Sequence, residues 1–474
     1  MKIIGTGTFD ANRTTTTNSL GAALLLRPEI STHISNLFED SFSCFSSYLS
    51  RMGLTKKGAF AGMSEPNFKM IGNRKFMWAL KGYPFRKGVI SDIYYSAVSQ
   101  LTPGINNSVF TIYLDTDYFS PNDILELSDR TTKIQIMGDF PQEVSTGIWA
   151  YNCKYGNNVA GSFVNPALLQ KGQEVGYAYN AFHELSETGY EKNSFPEWYT
   201  EYMTIQRMQY SISGSAGESV LWVEHNGQKM WFPQQDFEAM QRWNYSREMQ
   251  LIEGTPTIDS NDHVYLNDLK GRDIVRGSGI RAQGIGALKY QYNNLSIKVI
   301  ENVMRNMQLL TTSDGTTELF VMGGQAFVWD FNALMRDVFK YNPMPLFVSA
   351  EQSKQGVKSN FMSYEGPGVR IVVSWSKMFD APWRPQKYDM YGVPYGSRQG
   401  YFVSLGNTIG GDPMVELVAL GKRAFIKNQI DGMTSGKEFT SNSVDGKQVQ
   451  MISETGIKLG NPFGFAEVYK PITN

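Results

Sequence analysis

The sequence is poor in charge and in cysteine. Only 19% of its 474 residues are Asp, Glu, Lys or Arg, against a typical share of about 25%. The 44 basic and 45 acidic residues leave a net charge of -1. This balance argues against a protein whose main task is to bind nucleic acid or an acidic membrane surface. The two cysteines, Cys44 and Cys153, are too few for a disulfide framework or a cysteine zinc site.

Long hydrophobic runs are also missing. The apolar stretches 22–26 and 346–348 are far shorter than the roughly 20 residues that a membrane-spanning helix needs. The first residues, Met1 to Thr6, lack the apolar core of a signal peptide. We therefore expect no membrane partner and synthesis in the cytoplasm.

Aromatic residues and glycine are abundant instead. Tyr, Phe and Trp make up 13% of the chain, and there are 45 glycines. A surface with little charge and many aromatic side chains is typical of a protein that is covered by partners. Composition alone therefore favours assembly.

In the first half of the chain, hydrophobic periodicity predicts one helix and one small β unit. Apolar residues recur every three or four positions over 34–52, and Gly53 follows as a C-cap. Residues 110–114 and 133–136 alternate as strands do, which predicts a β unit over 106–163. The flanking stretches 54–103 and 165–222 are broken by glycine or irregular, with a short helical piece predicted at 92–98.

The second half of the chain has clearer periodicity. It predicts a helix over 233–253 that is contacted on several sides, an amphipathic helix over 295–310, a strand over 318–322 and a helix from Phe327 to Val338. Later strands are predicted at 369–375, 414–420 and 449–452. The fold class predicted from these patterns is α+β with mixed sheets.

Motifs for metal or nucleotide binding are incomplete. His183 and Glu187 lie one helical turn apart, but a zinc protease would need a second histidine in place of the glutamate. The phrase 277–282 has the spacing of a dinucleotide fingerprint, yet we expect a loop rather than a helix to follow it. The stretch 432–438 has too few residues between its glycines for a P-loop.

Residues for acid–base or thiol chemistry stand without the partners that they would need. Asp115 with Asp117, or Glu184 with Glu187, could form a carboxylate pair, but such pairs more often begin turns. Cys153 has no histidine nearby in the sequence. We predict no enzyme, and no catalytic, cofactor-binding or metal-binding residues.

One part of the chain is similar to a known family. After the helix over 233–253 come Gly254-Thr255-Pro256-Thr257, the phrase Leu269-Lys270-Gly271-Arg272-Asp273-Ile274-Val275-Arg276-Gly277-Ser278-Gly279-Ile280-Arg281-Ala282-Gln283, and then Tyr290 to Ser296. Residues 231–340 resemble the major capsid proteins of tailed phages, in particular those of crAss-like phages that infect Bacteroidetes. That family has the Hong Kong type of capsid fold, in which a spine helix precedes an axial domain.

The resemblance implies a division of the chain into parts. These are an N-terminal arm and helix at 1–54, two limbs of an extended loop at 55–105 and 164–230, an inserted β domain at 106–163, a peripheral domain with the spine helix at 231–265 and 430–474, and an axial domain at 266–429.

The resemblance also implies a function and partners. We expect the chain to self-assemble as hexamers and pentamers into an icosahedral shell, the virion capsid, around phage double-stranded DNA. Portal and auxiliary or decoration head proteins would be further partners, and near-zero net charge suits weak, non-specific contact with the packaged DNA.

Two other functions share part of this reasoning. The chain could be another virion component, in the head, tail or baseplate. It could also bind or cleave carbohydrate, with Trp375, Trp383, Tyr388, Tyr391 and Tyr395 stacking on sugar rings. Because most loops merely connect elements, we expect 383–395 to be an ordered loop packed on its own aromatic side chains.

Overall fold

The computed structural model describes residues 68–82, 84–157, 159–184, 186, 189–193, 195–215, 224–225, 228–229, 232–259, 261–284, 288–311, 317–341, 363–366, 368–407, 412–432 and 443–472. The predicted arm and helix of 1–54 lie outside these residues. So does most of the P-loop-like stretch.

The described chain contains 23 strands and four α-helices. The strands are β1 (Phe68–Ile71), β2 (Lys75–Leu80), β3 (Lys87–Val89), β4 (Tyr95–Ser96), β5 (Val109–Leu114), β6 (Asp123–Leu127), β7 (Lys133–Ile136), β8 (Gln142–Ser145), β9 (Ile148–Lys154), β10 (Glu174–Asn180), β11 (Glu197–Tyr202), β12 (Thr204–Ser213), β13 (Glu224–His225), β14 (Gln228–Lys229), β15 (Lys289–Gln291), β16 (Thr317–Gly323), β17 (Ser363–Gly366), β18 (Val369–Trp375), β19 (Gly400–Ser404), β20 (Val415–Leu420), β21 (Ile426–Asp431), β22 (Gly446–Leu459) and β23 (Phe465–Tyr469). The helices are α1 (Phe232–Glu253), α2 (Ile280–Gly284), α3 (Ile297–Thr311) and α4 (Gln325–Tyr341). None of the helices in the described residues is long and apolar enough to cross a bilayer.

The chain divides into two compact units. One unit is the continuous segment from Ala79 to Trp198, and the other combines the residues before Ala79 with those after Trp198. We call them the β unit and the main unit.

The β unit contains one antiparallel sheet. Its strands follow the order β3-β10-β6-β7-β9-β5-β4, and β8 pairs with β9. Alternate residues of β5, Phe110, Ile112 and Leu114, are buried, as the period of two predicts. They pack with residues of the other strands, among them Leu125 and Ile134, into a single core.

The β unit is wider than the predicted inserted domain of 106–163. Strands β3, β4 and β10 lie within the predicted limbs of the extended loop, and all three pair with the sheet. The prediction of a short helix at 92–98 is wrong, because Tyr95 and Ser96 form strand β4, which pairs with β5. A strand of two residues has no periodicity by which the sequence could reveal it.

The main unit contains two larger sheets. A five-stranded sheet has the order β1-β20-β22-β12 with β21 beside β22, and a six-stranded sheet has the order β15-β23-β19-β16-β18-β17. The six-stranded sheet is mixed, since β15 with β23 and β16 with β18 are parallel and its other pairs are antiparallel. The predicted α+β class with mixed sheets is confirmed.

Helices α3 and α4 pack on the six-stranded sheet. The stripe Ile300, Val303 and Met307 of α3 is buried, and the same core contains Phe327 and Phe331 of α4 and alternate residues of β16 and β18. The predicted order of helix, strand, turn and helix in this part of the chain is confirmed, and strand β18 has the predicted bounds.

Helix α1 contacts two cores. Trp243 packs with Met451 of β22, whereas Leu251 and Ile252 belong to a larger core with residues of both sheets. The multiple contacts predicted from its dispersed apolar residues are confirmed.

The predicted boundary between a peripheral and an axial part differs from the pairing of the strands. Strand β23, within the predicted peripheral segment 430–474, pairs with β15 and β19 of the six-stranded sheet. Strand β20, within the predicted axial segment 266–429, pairs with β22 of the five-stranded sheet. The chain therefore crosses between the two sheets more often than the sequence predicts.

Candidate functional site

The residues considered for metal or acid–base chemistry have separate surroundings. His183 is exposed, and its Nδ1 lies 2.8 Å from the backbone oxygen of Glu184. Within the described residues, no group of three or more His, Cys, Asp or Glu side chains could hold a metal ion. Asp115 Oδ1 accepts a hydrogen bond of 2.8 Å from the backbone N–H of Val89, a residue of strand β3. Glu187 lies outside the described residues.

Cys153 is completely buried in the core of the β unit. Burial raises the pKa of its thiol, and a thiol that stays protonated is a poor nucleophile. Its role in the described structure is therefore that of a core residue.

A helix begins within the glycine phrase 277–282, where the sequence predicted that a loop would continue. The five-residue helix α2 begins at Ile280, directly after Gly279. The glycines instead allow close backbone packing. A Cβ atom on Gly277 would lie 1.8 Å from the backbone oxygen of Tyr202, and one on Gly279 would lie 2.5 Å from the backbone nitrogen of Gly254. The phrase therefore joins the end of α1 to strand β11, which explains its glycines without a nucleotide.

Three loops of the main unit share one hydrogen-bond pattern, and we call them the Asp-anchored loops: 259–263, 268–272 and 389–393. In each, the N–H of the first residue, an aspartate, donates to the carbonyl oxygen of the fifth residue. The aspartate Oδ1 accepts from the N–H groups of the third and fifth residues at 2.8 or 2.9 Å. The fourth residue is Asp262, Gly271 or Gly392 and has φ between 62° and 74°. Because so many of its polar backbone groups are bonded internally, each loop is a rigid turn.

Two of these loops carry apolar side chains at their tips. Leu269 is fully exposed, Met390 is 88% exposed and Tyr391 is 75% exposed. Large apolar side chains held in solvent by a rigid backbone are typical of interface anchors, because little conformational entropy is lost when a partner covers them.

The loop 389–393 is fixed to the rest of the main unit by Arg398. The guanidinium lies 3.0 Å from Asp389 Oδ2 and 2.9 Å from Asp330 Oδ2 of α4. Burial acts to raise the pKa of Asp389, but hydrogen bonds from the N–H groups of Val393 and Tyr391 and from Arg398 outweigh it, so the pKa is lowered. Burial raises the pKa of Asp330. The loop is therefore anchored both by its own backbone and by a buried ion-pair network.

Aromatic side chains are also exposed on the β unit. The rings of Phe140 and Tyr190 meet edge to face at 4.9 Å, and Phe182 lies beside Tyr190 at 6.4 Å. All three are at least one-third exposed. This cluster is a second apolar surface, and it lies partly within the stretch 165–222 that the sequence predicted to be irregular.

The five aromatic side chains that could stack on sugar rings differ in their contacts and burial. Tyr395 is buried, Trp375 donates its Nε1 hydrogen to Asp380 at 2.7 Å, and Trp383 meets Tyr245 of α1 edge to face at 5.4 Å. Tyr388 directly precedes the loop 389–393, Tyr391 lies within it, and both are at least half exposed. Trp375 lies outside the segment 383–395 that was predicted to pack on its own aromatic residues, and Trp383 of that segment contacts Tyr245 of helix α1.

Comparison with known proteins gives one match over almost the whole chain. The family described as Crassvirus major capsid protein matches residues 7–473. No curated protein is significantly similar in sequence.

Several solved structures share parts of the backbone arrangement. The capsid of cyanophage Pam1 is 12% identical, with 62% of this chain and 82% of that chain covered and a TM-score of 0.35. The capsid of the Myoviridae phage XM1 is 10% identical, with coverage of 60% and 81% and a TM-score of 0.33. The SrpI encapsulin of Synechococcus elongatus is 7% identical, with coverage of 58% and 76% and a TM-score of 0.32. At these TM-scores the assignment rests on the family match.

Proposed function

Because this chain belongs to the Crassvirus major capsid protein family, we propose that its copies assemble as hexamers and pentamers into the icosahedral shell of a phage head. The contacts in this proposal are made through the apolar tips of the loops 268–272 and 389–393. The chain is a major capsid protein, and self-association into a shell is what that role requires. The observation that supports the loops as contact points is their combination of a rigid backbone with exposed Met390, Tyr391 and Leu269.

We assign parts of the fold to the capsid architecture in the same proposal. Helix α1 is the spine helix, the five-stranded sheet belongs to the peripheral domain, and the six-stranded sheet with α3 and α4 forms the axial domain of a Hong Kong-type fold. The order α1, α3, β16 and α4 along the chain supports this assignment.

Further partners follow from the resemblance alone. Portal and auxiliary or decoration head proteins would contact the assembled shell, and packaged double-stranded DNA would touch it without sequence preference. The net charge of -1 supports weak contact, because strong DNA binding depends on many basic side chains. A tail or baseplate role is less well supported, since the match to the major capsid protein family covers residues 7–473.

The loop contact can be tested by assembly of purified protein. The double variant Met390→Ser with Tyr391→Ser removes the apolar tip and leaves Asp389 and Gly392 to hold the turn. We expect wild-type protein to form closed shells, alone or with its head partners, and the double variant to form fewer shells at unchanged thermal stability. Sedimentation and electron microscopy would measure both.

A matched control is Asn261→Ser in the loop 259–263, which has the same backbone hydrogen bonds. This variant should assemble like wild type. Full assembly of the double variant would contradict the role of the tip, and wild-type protein that forms no shell under any of these conditions would contradict the assembly proposal itself.

A further inference from the structure

A cleft of about 530 Å³ lies in the main unit beside the end of α1. Five cationic side chains line it: Arg281, Lys289, Arg384, Lys387 and Lys470. Its acidic lining residues are Glu253 and Glu467. The cleft therefore carries a surplus of positive charge in a chain whose total charge is almost zero.

Both acidic residues are already paired. Arg384 Nη2 lies 2.7 Å from Glu253 Oε2, and Arg281 Nη2 lies 2.9 Å from Glu467 Oε1. Glu467 is almost completely buried, so its charge is committed to Arg281. The two arginines thus account for the two carboxylates, and the three lysines are left over.

Within the described residues the three lysines make no side-chain hydrogen bond or ion pair, and the one charge interaction of Lys470 is with Asp330, whose pKa it acts to lower without direct contact. The lysines come from different parts of the chain, and all three line the cleft. Lys289 of β15 is directly opposite Glu467 in the parallel pair with β23, Lys470 follows β23, and Lys387 precedes the loop 389–393. Three like charges around one concavity repel one another, so an anion bound between them would be stabilised.

One buried donor of the cleft is also unsatisfied. Arg281 Nε has no hydrogen-bond partner in the described structure. A buried donor without an acceptor is costly, and Arg281 Nε would regain a partner if an oxygen-rich anion entered. This observation is independent of the charge surplus.

We propose that this cleft binds a compact phosphate polyanion, a di- or triphosphate. A single carboxylate would neutralise only one of the three free lysines, whereas a triphosphate presents several charges within a length that the cleft can hold. The volume is within the range of small-molecule sites, about 300–1,000 Å³. Arginine and lysine together provide forked and point-like donors for phosphate oxygens.

The test is a calorimetric titration of the full-length protein with sodium tripolyphosphate at fixed ionic strength. We expect saturable binding of one anion per chain. The triple variant Lys289→Gln, Lys387→Gln and Lys470→Gln should bind at least about tenfold more weakly, because each charge contributes modestly to an exposed ion pair. The arginines are left unchanged since they hold Glu253 and Glu467.

The matched control replaces Lys298 and Lys422, two exposed lysines outside the cleft, with Gln. It should bind like wild type, and an equal loss in control and triple variant would overturn the proposal in favour of general charge attraction. Absence of saturable binding to wild type would also overturn it, as would equal affinity for acetate. Adenosine triphosphate distinguishes the source of the phosphate: affinity above that of tripolyphosphate supports a nucleotide in the cleft, and equal affinity supports the phosphate chain alone.

Discussion

Replacement of Asp389 by Asn tests whether the loop 389–393 is fixed by its ion pair. In the Asp389→Asn variant, Oδ1 can still accept from the N–H groups of Tyr391 and Val393, but Arg398 loses the negative charge at Oδ2. Removal of one partner from a buried ion pair costs about 3–5 kcal/mol. Because Arg398 keeps its contact with Asp330, we expect a smaller loss than this range, about 2–3 kcal/mol in the free energy of unfolding.

The loop 268–272 provides the matched control. Asp268 has the same backbone hydrogen bonds, and its Oδ2 also accepts from an arginine, Arg272. Arg272 is mostly exposed, whereas Arg398 is mostly buried. The same change, Asp268→Asn, should therefore reduce stability far less, because an exposed arginine is solvated when its partner charge is removed.

Urea unfolding of both variants, monitored by tryptophan fluorescence, would measure these differences in the free energy of unfolding. The pH dependence adds a second readout. The pKa of folded Asp389 lies below that of an unfolded aspartate, so its contribution is complete above about pH 4 and is lost as the pH falls through the folded pKa. The gap between wild type and Asp389→Asn should close on acidification. Equal losses for the two variants, or a gap that does not depend on pH, would refute the reasoning.

Three further predictions concern the cores and the units. Val303→Ala in α3 should reduce the free energy of unfolding by about 2–3 kcal/mol through lost apolar contact and a cavity, while Lys298→Ala on the exposed face should change it little. Amide hydrogen exchange of α3 in the two variants would compare their stabilities. Equal effects would show that the buried face of the helix is misassigned. Gly279→Ala should prevent soluble expression, since its Cβ would lie 2.5 Å from a backbone nitrogen; a wild-type melting curve would contradict the packing role. The segment 79–198 should fold when expressed alone, with a cooperative thermal transition. The segment 106–163 should not fold alone, because it lacks strands β3, β4 and β10. A folded 106–163 would show that the inserted domain has the narrower bounds predicted from the sequence.

The predictable parts of the fold are the longer helices and strands, because they offer enough residues to show a hydrophobic pattern or an end signal. Helix α1 was predicted to within one residue although its apolar residues are dispersed, and β18 was predicted with its observed bounds. Strand β10 was missed because its register shifts between Tyr177 and Tyr179, which breaks the alternation that marks a strand.

The candidate sites were less predictable than the fold. The spacing of Asp and Gly in 268–272 and 389–393 is a turn signal that can be read in a sequence. That Leu269 and Met390 extend into solvent depends on tertiary structure. The cleft could not be predicted at all, since the pairing of β15 with β23 brings Lys289 and Lys470 together and Lys387 joins them from a distant part of the chain.

The pairing of distant strands in the five-stranded sheet has a consequence for the timing of synthesis. Strand β1 pairs with β20, and β12 pairs with β22, so this sheet cannot close until the ribosome has passed β22. All the strands paired in the sheet of the β unit lie within 79–198, so this unit can fold as soon as that segment has left the ribosome. At about 5–20 residues per second, the delay between the two is on the order of tens of seconds. A nascent chain therefore carries a finished β unit while the two large sheets of the main unit are still incomplete.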